Sequence, residues 1–98
     1  ARLPGGFAQA VPRFLTELSG DFATRSGLDG RTRELLTVVL LAALGGAAAQ
    51  LKDHVRGALA LGSTREELVC ALVHASAYMG SPRLFSTLDA AGELLEEP

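Results

Sequence analysis

The chain of 98 residues is long enough for one small domain, which we expect to span residues 1–98. It is 48% hydrophobic and carries a formal net charge of −2, with its charged side chains dispersed along the sequence. This balance excludes a strongly basic face for nucleic acid. A single cysteine excludes an intrachain disulfide and any Cys-x-x-Cys redox or zinc pair.

The longest uncharged stretch covers residues 35–51, and its length argues against a membrane span. Two adjacent glycines, Gly45 and Gly46, interrupt it, and it falls short of the roughly 20 apolar residues that cross a bilayer. No signal-peptide pattern is visible in the sequence. Together with the lone cysteine, these features predict a cytoplasmic protein without membrane or nucleic-acid partners.

The apolar periodicity predicts an all-α domain of about five helices and no strand. The first helix is predicted over residues 7–22, although Pro12 favours a start nearer residue 11 because proline is best tolerated in a first turn. Its apolar face consists of Phe7, Val11, Phe14, Leu15 and Leu18.

The second helix is predicted over residues 31–44 and the third over residues 47–61. Asp29 is a candidate N-cap for the second helix, and Gly45-Gly46 ends it. The second helix is apolar on all faces, which predicts that it is enclosed. The inner face of the third helix is made of Leu51, Val55, Ala58 and Leu59.

The fourth helix is predicted to open with a capping box from Ser63 to Glu66 and to run to residue 79. Ser81 is the predicted N-cap of the fifth helix, with Pro82 at its first position. The turn at Gly62 favours an antiparallel hairpin of the third and fourth helices.

Two helices that are apolar all round are hard to enclose with 98 residues. A second copy of the chain can bury the apolar faces that one copy leaves exposed. The sequence therefore predicts a homo-oligomer, in which the second or fourth helix packs against another subunit.

One stripe of the fourth helix carries chemistry inside an otherwise apolar segment. Glu67, Cys70, His74 and Tyr78 share one face at i, i+3, i+7 and i+11. Glu67 is either a first-turn carboxylate favoured by the helix dipole or a general acid or base. His74 is either a satisfied core histidine or a group for proton transfer or carboxylate binding. Cys70 is either a small buried hydrophobe or a thiol activated by His74.

His54 lies at the edge of the inner face of the third helix. In the predicted hairpin, His54 and the polar stripe of the fourth helix converge. Two histidines and Glu67 offer ligands for an open metal site, but no His-x-x-x-His or His-x-His spacing supports one. The sequence therefore predicts no metal.

Four segments, in this order and at these spacings, resemble the carboxymuconolactone decarboxylase family within the alkylhydroperoxidase D-like superfamily. They are residues 28–35 (LDGRTREL), 51–59 (LKDHVRGAL), 62–68 (GSTREEL) and 74–82 (HASAYMGSP). The last one is similar to the family's His-x-x-x-Tyr-x-Gly-x-Pro. The resemblance covers about two thirds of the chain and implies an all-α, alkylhydroperoxidase D-like fold assembled as trimers or hexamers.

The resemblance implies one of two activities. The peroxidase branch uses Cys-x-x-Cys-x-x-x-His, with its histidine at the place of His54, but this chain has Ala47 and Gln50 at the cysteine positions. Dithiol reduction of peroxide is therefore excluded by this route. The other branch decarboxylates a lactone acid without a cofactor, with His54, Glu67 and His74 as the site residues by position.

The chain departs from the family at Cys70, where many members carry an acid four residues before the last histidine. Arg33 and Arg56 are candidate substrate-binding groups for an anion, with exposed helix charge as the alternative. Tyr78 is a further candidate for substrate binding, or a packing and hydrogen-bonding residue.

The favoured function is a cofactor-independent decarboxylase acting on a small lactone or keto carboxylate. The alternative is a non-enzymatic or regulatory oligomer of the same fold, and a less favoured one is a peroxidase-type antioxidant protein using Cys70.

Overall fold

A computed structural model describes residues 3–24 and 27–98, with side chains throughout those ranges except at positions 19 and 21–24. The described residues form five α-helices and no strand, as the periodicity predicts. The helices are α1 (Phe7–Thr24), α2 (Gly30–Leu44), α3 (Ala48–Ala60), α4 (Arg65–Met79) and α5 (Ser81–Leu95).

The sequence signals at both ends of α2 are confirmed. The Asp29 carboxylate accepts a hydrogen bond of 2.8 Å from the Thr32 amide. This bond holds the pKa of the Asp29 carboxyl below its usual value, because it stabilises the charged form. At the other end, Gly45 adopts a φ of +76° and its amide bonds to the Leu41 carbonyl. Glycine meets the positive φ without strain, so α2 stops there.

The predicted capping box of α4 is wrong by one residue. Thr64 is the N-cap, and its reciprocal partner is Glu67 rather than Glu66. The Ser63 amide instead bonds to the Ala58 carbonyl, so Ser63 belongs to the turn that ends α3. Because Ser63 and Thr64 each have a glutamate three residues later, the sequence pattern alone fits both registers.

The N-cap of α5 differs from expectation. Gly80, not Ser81, is the N-cap, and no side chain caps it; the helix begins at Ser81 with Pro82 in its first turn. Helix α1 begins at Phe7, as predicted, and keeps Pro12 inside it, so the alternative start near residue 11 is wrong. Pro12 has no amide hydrogen, so α1 lacks one of its internal hydrogen bonds.

The core lies among α2, α3, α4 and α5. Helix α2 packs against α3 and α4, and α5 packs against both of these and against α2. The principal neighbours of α3 are α2 and α5, so the α3–α4 hairpin stays a prediction. The buried cluster consists of Val38, Ala42, Leu51, Val55, Ala58, Leu68, Leu72, Ala91 and Leu95.

Helix α1 stands apart from this core. None of the principal helix–helix contacts among the described residues involves α1. The radius of gyration is 15.0 Å, larger than the roughly 13 Å of a compact chain of this length. Helix α2 is not enclosed on all sides within one chain either, because Leu36, Leu40 and Leu44 are exposed. No helix in the described ranges has the length and hydropathy needed to cross a membrane.

Candidate functional site

Two polar pairs connect the first half of α2 to its neighbours. Glu34 on α2 contacts His54 on α3, with 2.7 Å between Oε2 and Nδ1. Arg31, one turn earlier on α2, donates a hydrogen bond of 2.6 Å from Nη1 to Oε2 of Glu67 on α4. Because residues three apart on a helix are neighbours on its surface, the two pairs form one polar layer of Arg31, Glu34, His54 and Glu67.

The contact with Glu34 assigns the tautomer of His54. An ionised carboxylate only accepts hydrogen bonds, so Nδ1 of His54 carries the hydrogen and donates it to Glu34. The opposite ring nitrogen, Nε2, is then left to exchange a proton with another molecule. The side chains of His54 and Glu34 are 40% and 28% exposed, so a small molecule can reach the ring.

Gly57 sets the room available to the Glu34 carboxylate. A Cβ built at Gly57, one turn after His54 on α3, would lie 3.2 Å from the carboxyl carbon of Glu34. That approach is tighter than ordinary van der Waals contact, so a larger residue there would displace the carboxylate. A side chain at Gly57 would require the Glu34 carboxylate to move by a few tenths of an ångström.

Glu67 has two roles in the structure. Its Oε2 accepts the hydrogen bond from Arg31, while its Oε1 accepts one of 3.2 Å from the amide of Thr64. Both bonds stabilise the charged carboxylate and lower the pKa of Glu67 from its usual value; the bond from Arg31 has the larger effect. The same ion pair raises the pKa of Arg31. The side chains of both residues are about two-fifths exposed, so the layer is open to solvent.

His74 lies elsewhere. It lines an apolar groove of about 470 Å³ between α2 and α4, formed by Val39, Ala43, His74, Ala75, Tyr78 and Met79; we call this the α2–α4 groove. The rings of His74 and Tyr78 are stacked at an angle, with 5.7 Å between their centroids. The structure does not bring His74 into the polar layer, and His54 does not line the groove.

Most of the α4 stripe is exposed within a single chain. Cys70 and His74 are exposed, and Tyr78 is 84% exposed. His74 is therefore not a core histidine, and Cys70 is not a buried hydrophobe. The buried residues of α4 are Leu68, Leu72 and Ala75, which lie on a different face of the helix, next to this stripe.

The three candidate substrate-binding residues also lie outside the polar layer. Arg33 donates from Nε to the Leu28 carbonyl near the start of α2. Arg56 forms an exposed contact of 3.3 Å with Asp53 one turn earlier on α3. Tyr78 lines the α2–α4 groove.

Sequence reasoning assigned no role to Arg31 or Glu34, which hold the layer together. The available signal was their i, i+3 spacing, which places both on one face of α2. Both also belong to the first segment that resembles the family. Dispersed charges near a helix start, however, usually face solvent, and their partners come from α3 and α4, far away in sequence.

No group of three or more His, Cys, Asp or Glu side chains within residues 3–24 and 27–98 is arranged to hold a metal ion. The side chains of the polar layer offer two kinds of chemistry: proton transfer at His54, and binding of an anion at the guanidinium of Arg31.

The sequence matches the carboxymuconolactone decarboxylase family over residues 9–93. It is 32% identical over 92 residues to the 4-carboxymuconolactone decarboxylase of Acinetobacter baylyi, covering 93% of this chain and 68% of that protein. It is 35% identical over 89 residues to an uncharacterized 15.0 kDa protein of Paracoccus denitrificans from the nqo9-nqo10 intergenic region, covering 89% of this chain and 66% of that protein.

Four helices around an apolar core, with a histidine–carboxylate pair across two of them and a fifth helix, α1, beside them, define an all-α protein with a candidate proton-transfer site. The extent of the match shows that the chain belongs to the carboxymuconolactone decarboxylase family. The chain spans about two thirds of the length of these two relatives.

Proposed function

We propose that the chain is a cofactor-independent decarboxylase of the carboxymuconolactone type, acting on a small lactone or keto carboxylate. The observation that carries the proposal is the pairing of His54 with Glu34 in a member of this family. A carboxylate that fixes one ring nitrogen of a histidine prepares the other nitrogen for proton transfer.

The proposed reaction needs one proton donor. The substrate carboxylate leaves as carbon dioxide, and the electron pair of the broken carbon–carbon bond moves into the conjugated carbonyl to form an enolate. Protonated His54 then gives the hydrogen on Nε2 to the enolate carbon, and neutral His54 takes a proton back from water. Glu34 supports the step because it stabilises the positive charge of the imidazolium.

Arg31 is the proposed group for the substrate carboxylate. Its guanidinium has five N–H donors, and the bond to Glu67 uses one nitrogen. Glu67 in this proposal holds Arg31 in place and is itself tied to the start of α4. Arg33, Arg56 and Tyr78 remain candidates for substrate contact; Arg33 bonds to the Leu28 carbonyl, Arg56 contacts Asp53, and Tyr78 lines the α2–α4 groove.

The test is a screen of small lactone acids and keto acids for release of carbon dioxide, with His54→Ala and His74→Ala compared on any active substrate. We expect His54→Ala to lower kcat/KM by about 100- to 10,000-fold, the usual contribution of a general acid or base, with partial recovery in added imidazole. His74→Ala is expected to have a much smaller effect. If the two effects are reversed, the proton donor is His74, as the family position also permits.

The second candidate function is a non-enzymatic or regulatory oligomer of the same fold. It is favoured by the openness of the polar layer, where the side chains of Arg31 and Glu67 are each 42% exposed. Failure of every acid in the screen, from a folded protein, would support this candidate. A peroxidase-type activity has the least support, because dithiol chemistry needs two thiols and this sequence has Cys70 alone.

Assembly as a homo-oligomer, a trimer or hexamer by resemblance to the family, is part of the proposal. What supports it is the amount of apolar side chain that one copy leaves exposed on α1, α2 and α5. A soluble monomer rarely exposes apolar patches larger than a few hundred Å².

A further inference from the structure

The strongest unexplained feature outside the polar layer is the apolar stripe of α1, made of Phe7, Val11, Phe14, Leu15 and Leu18. All five side chains are exposed, with Phe7 at 62% and Phe14 at 60%. An amphipathic helix of this length gains most of its stability from packing its apolar face rather than from propensity. Within the chain, none of the principal contacts of the described residues covers this stripe.

The α2–α4 groove is the matching apolar surface on the body of the chain. Its lining is uncharged apart from the titratable ring of His74. Leu36 and Leu40, both exposed, lie one turn from Val39 and Ala43 on α2 and extend the apolar surface beyond the groove. The charged residues of α1 with a recorded ion pair, Arg13 and Glu17, lie away from its stripe, so neither of these two charges enters the groove when the stripe faces it.

We propose that α1 of one copy of this chain docks its apolar stripe into the α2–α4 groove of a second copy, covering His74 and Tyr78. This inference concerns assembly and does not depend on the proposed decarboxylation, because Arg31, Glu34, His54 and Glu67 do not line the groove.

The area supports a second copy as the occupant. The stripe exposes roughly 450 Å² of side chain, taking about 200 Å² for a fully exposed aromatic residue. A similar area on the groove side gives about 900 Å² for one contact and about 1,800 Å² for two contacts related by a two-fold axis, within the range of stable dimers. A cyclic trimer uses the same contact three times.

Tyr78 provides a built-in probe of the groove. The chain has one tyrosine and no tryptophan, so tyrosine emission reports on Tyr78. In an isolated copy this side chain is almost fully exposed, and iodide will quench it as efficiently as free tyrosine amide. When α1 of another copy covers the groove, the quenching constant is expected to fall several-fold.

The experiment combines iodide quenching with sedimentation on the wild type and three single variants. Phe14→Glu puts a charge in the stripe, and Ala43→Glu puts one in the groove. Gln9→Glu changes the charge by the same amount at another exposed position of α1 and is the matched control. Circular dichroism verifies that each variant is folded, and neither Phe14 nor Ala43 belongs to the buried cluster.

We expect the wild type and Gln9→Glu to be oligomeric with a protected Tyr78. We expect Phe14→Glu and Ala43→Glu to weaken association by at least about 100-fold, because a charge at the centre of an interface loses its hydration without gaining a partner, and to expose Tyr78. An oligomeric wild type with fully quenched Tyr78 would overturn the proposal. A monomeric wild type with protected Tyr78 would also overturn it, because α1 would then cover the groove of its own chain. Protection of Tyr78 that is unchanged by Phe14→Glu would overturn it as well.

Discussion

The two histidines of this chain occupy opposite surroundings. His54 lies in the polar layer, where Glu34 contacts Nδ1 and the Arg31–Glu67 pair lies one turn earlier on α2. His74 lies in the α2–α4 groove among apolar side chains, and its recorded ring neighbour is Tyr78. By sequence both are plausible, since each lies within a predicted helix and each falls on a family segment.

The difference shows which surroundings a histidine needs before it can transfer a proton in a defined direction. An imidazole held by a carboxylate has a defined tautomer and a defined ring orientation, whereas an imidazole in an apolar groove has neither. The polar layer therefore has the features of a reaction site, and the groove has those of a packing surface. Three substitutions test this contrast.

The largest expected effect comes from the carboxylate that orients His54. Glu34→Gln keeps the shape of the side chain but removes the charge that supports the imidazolium, so we expect kcat to fall by roughly 100-fold; loss of the orienting aspartate in Ser-His-Asp triads costs up to about 10,000-fold. The measurement is the rate of carbon dioxide release across pH. The matched control is Glu66→Gln, which removes an exposed carboxylate from α4. Equal rates for the two variants would make the Glu34–His54 pair a structural contact.

The second effect concerns the proposed anion site. Arg31→Gln is expected to raise KM by about 10-fold or more with a smaller change in kcat, because a charge-assisted contact to the substrate carboxylate is lost. Arg56→Gln is the direct comparison, since Arg56 is the other candidate for this role. A rise in KM for Arg56→Gln alone would move the substrate away from the polar layer. Steady-state kinetics on the same substrate separate these outcomes.

The smallest effect is on stability in acid. The pKa of Glu67 is lowered in the folded chain, chiefly by Arg31, so its stabilising contribution is fully present above its usual pKa of 4.5 and is lost as pH falls through the lowered value. Glu67→Gln should therefore lose less stability than the wild type when pH falls below 4.5. Asp29, whose pKa is also lowered, leaves a residual pH dependence in the variant.

Urea unfolding at several pH values between 3 and 7 measures this difference. His74→Gln serves as the comparison from the groove and is expected to leave the slope below pH 4.5 unchanged. Identical acid slopes for the wild type and Glu67→Gln would mean that the Arg31–Glu67 pair does not contribute to folding.

Much of the fold was predictable because its signals are local. The apolar periodicity, the Asp29 cap and the Gly45 stop each depend on residues within one or two turns, and the structure confirms them. The capping box failed by one residue because Ser63 and Thr64 both fit the pattern, and only the turn that ends α3 decides between them.

The candidate site was predictable in part. The family segments indicated His54, Glu67 and His74 as site residues, which remains a prediction, but they did not indicate the partners of these residues. Glu34 contacts His54 on α3, and Arg31 contacts Glu67 on α4. These contacts join residues far apart in sequence, so no local pattern predicts them. The sequence left open whether His74 is a core histidine, because apolar neighbours along a helix do not tell which face the fold covers; the structure places it on an exposed face.

Glu67 joins the first turn of α4 to the first turn of α2 through one carboxylate, which caps Thr64 and binds Arg31. Helix ends normally fray independently of each other, but two ends that share one anchoring group open together. Amide hydrogens near Arg33 and near Leu68 should therefore exchange with solvent as a single cooperative unit. Acidification that protonates Glu67 would break its contacts with both first turns. The amide hydrogens at the starts of α2 and α4 would then lose their protection from exchange at the same pH.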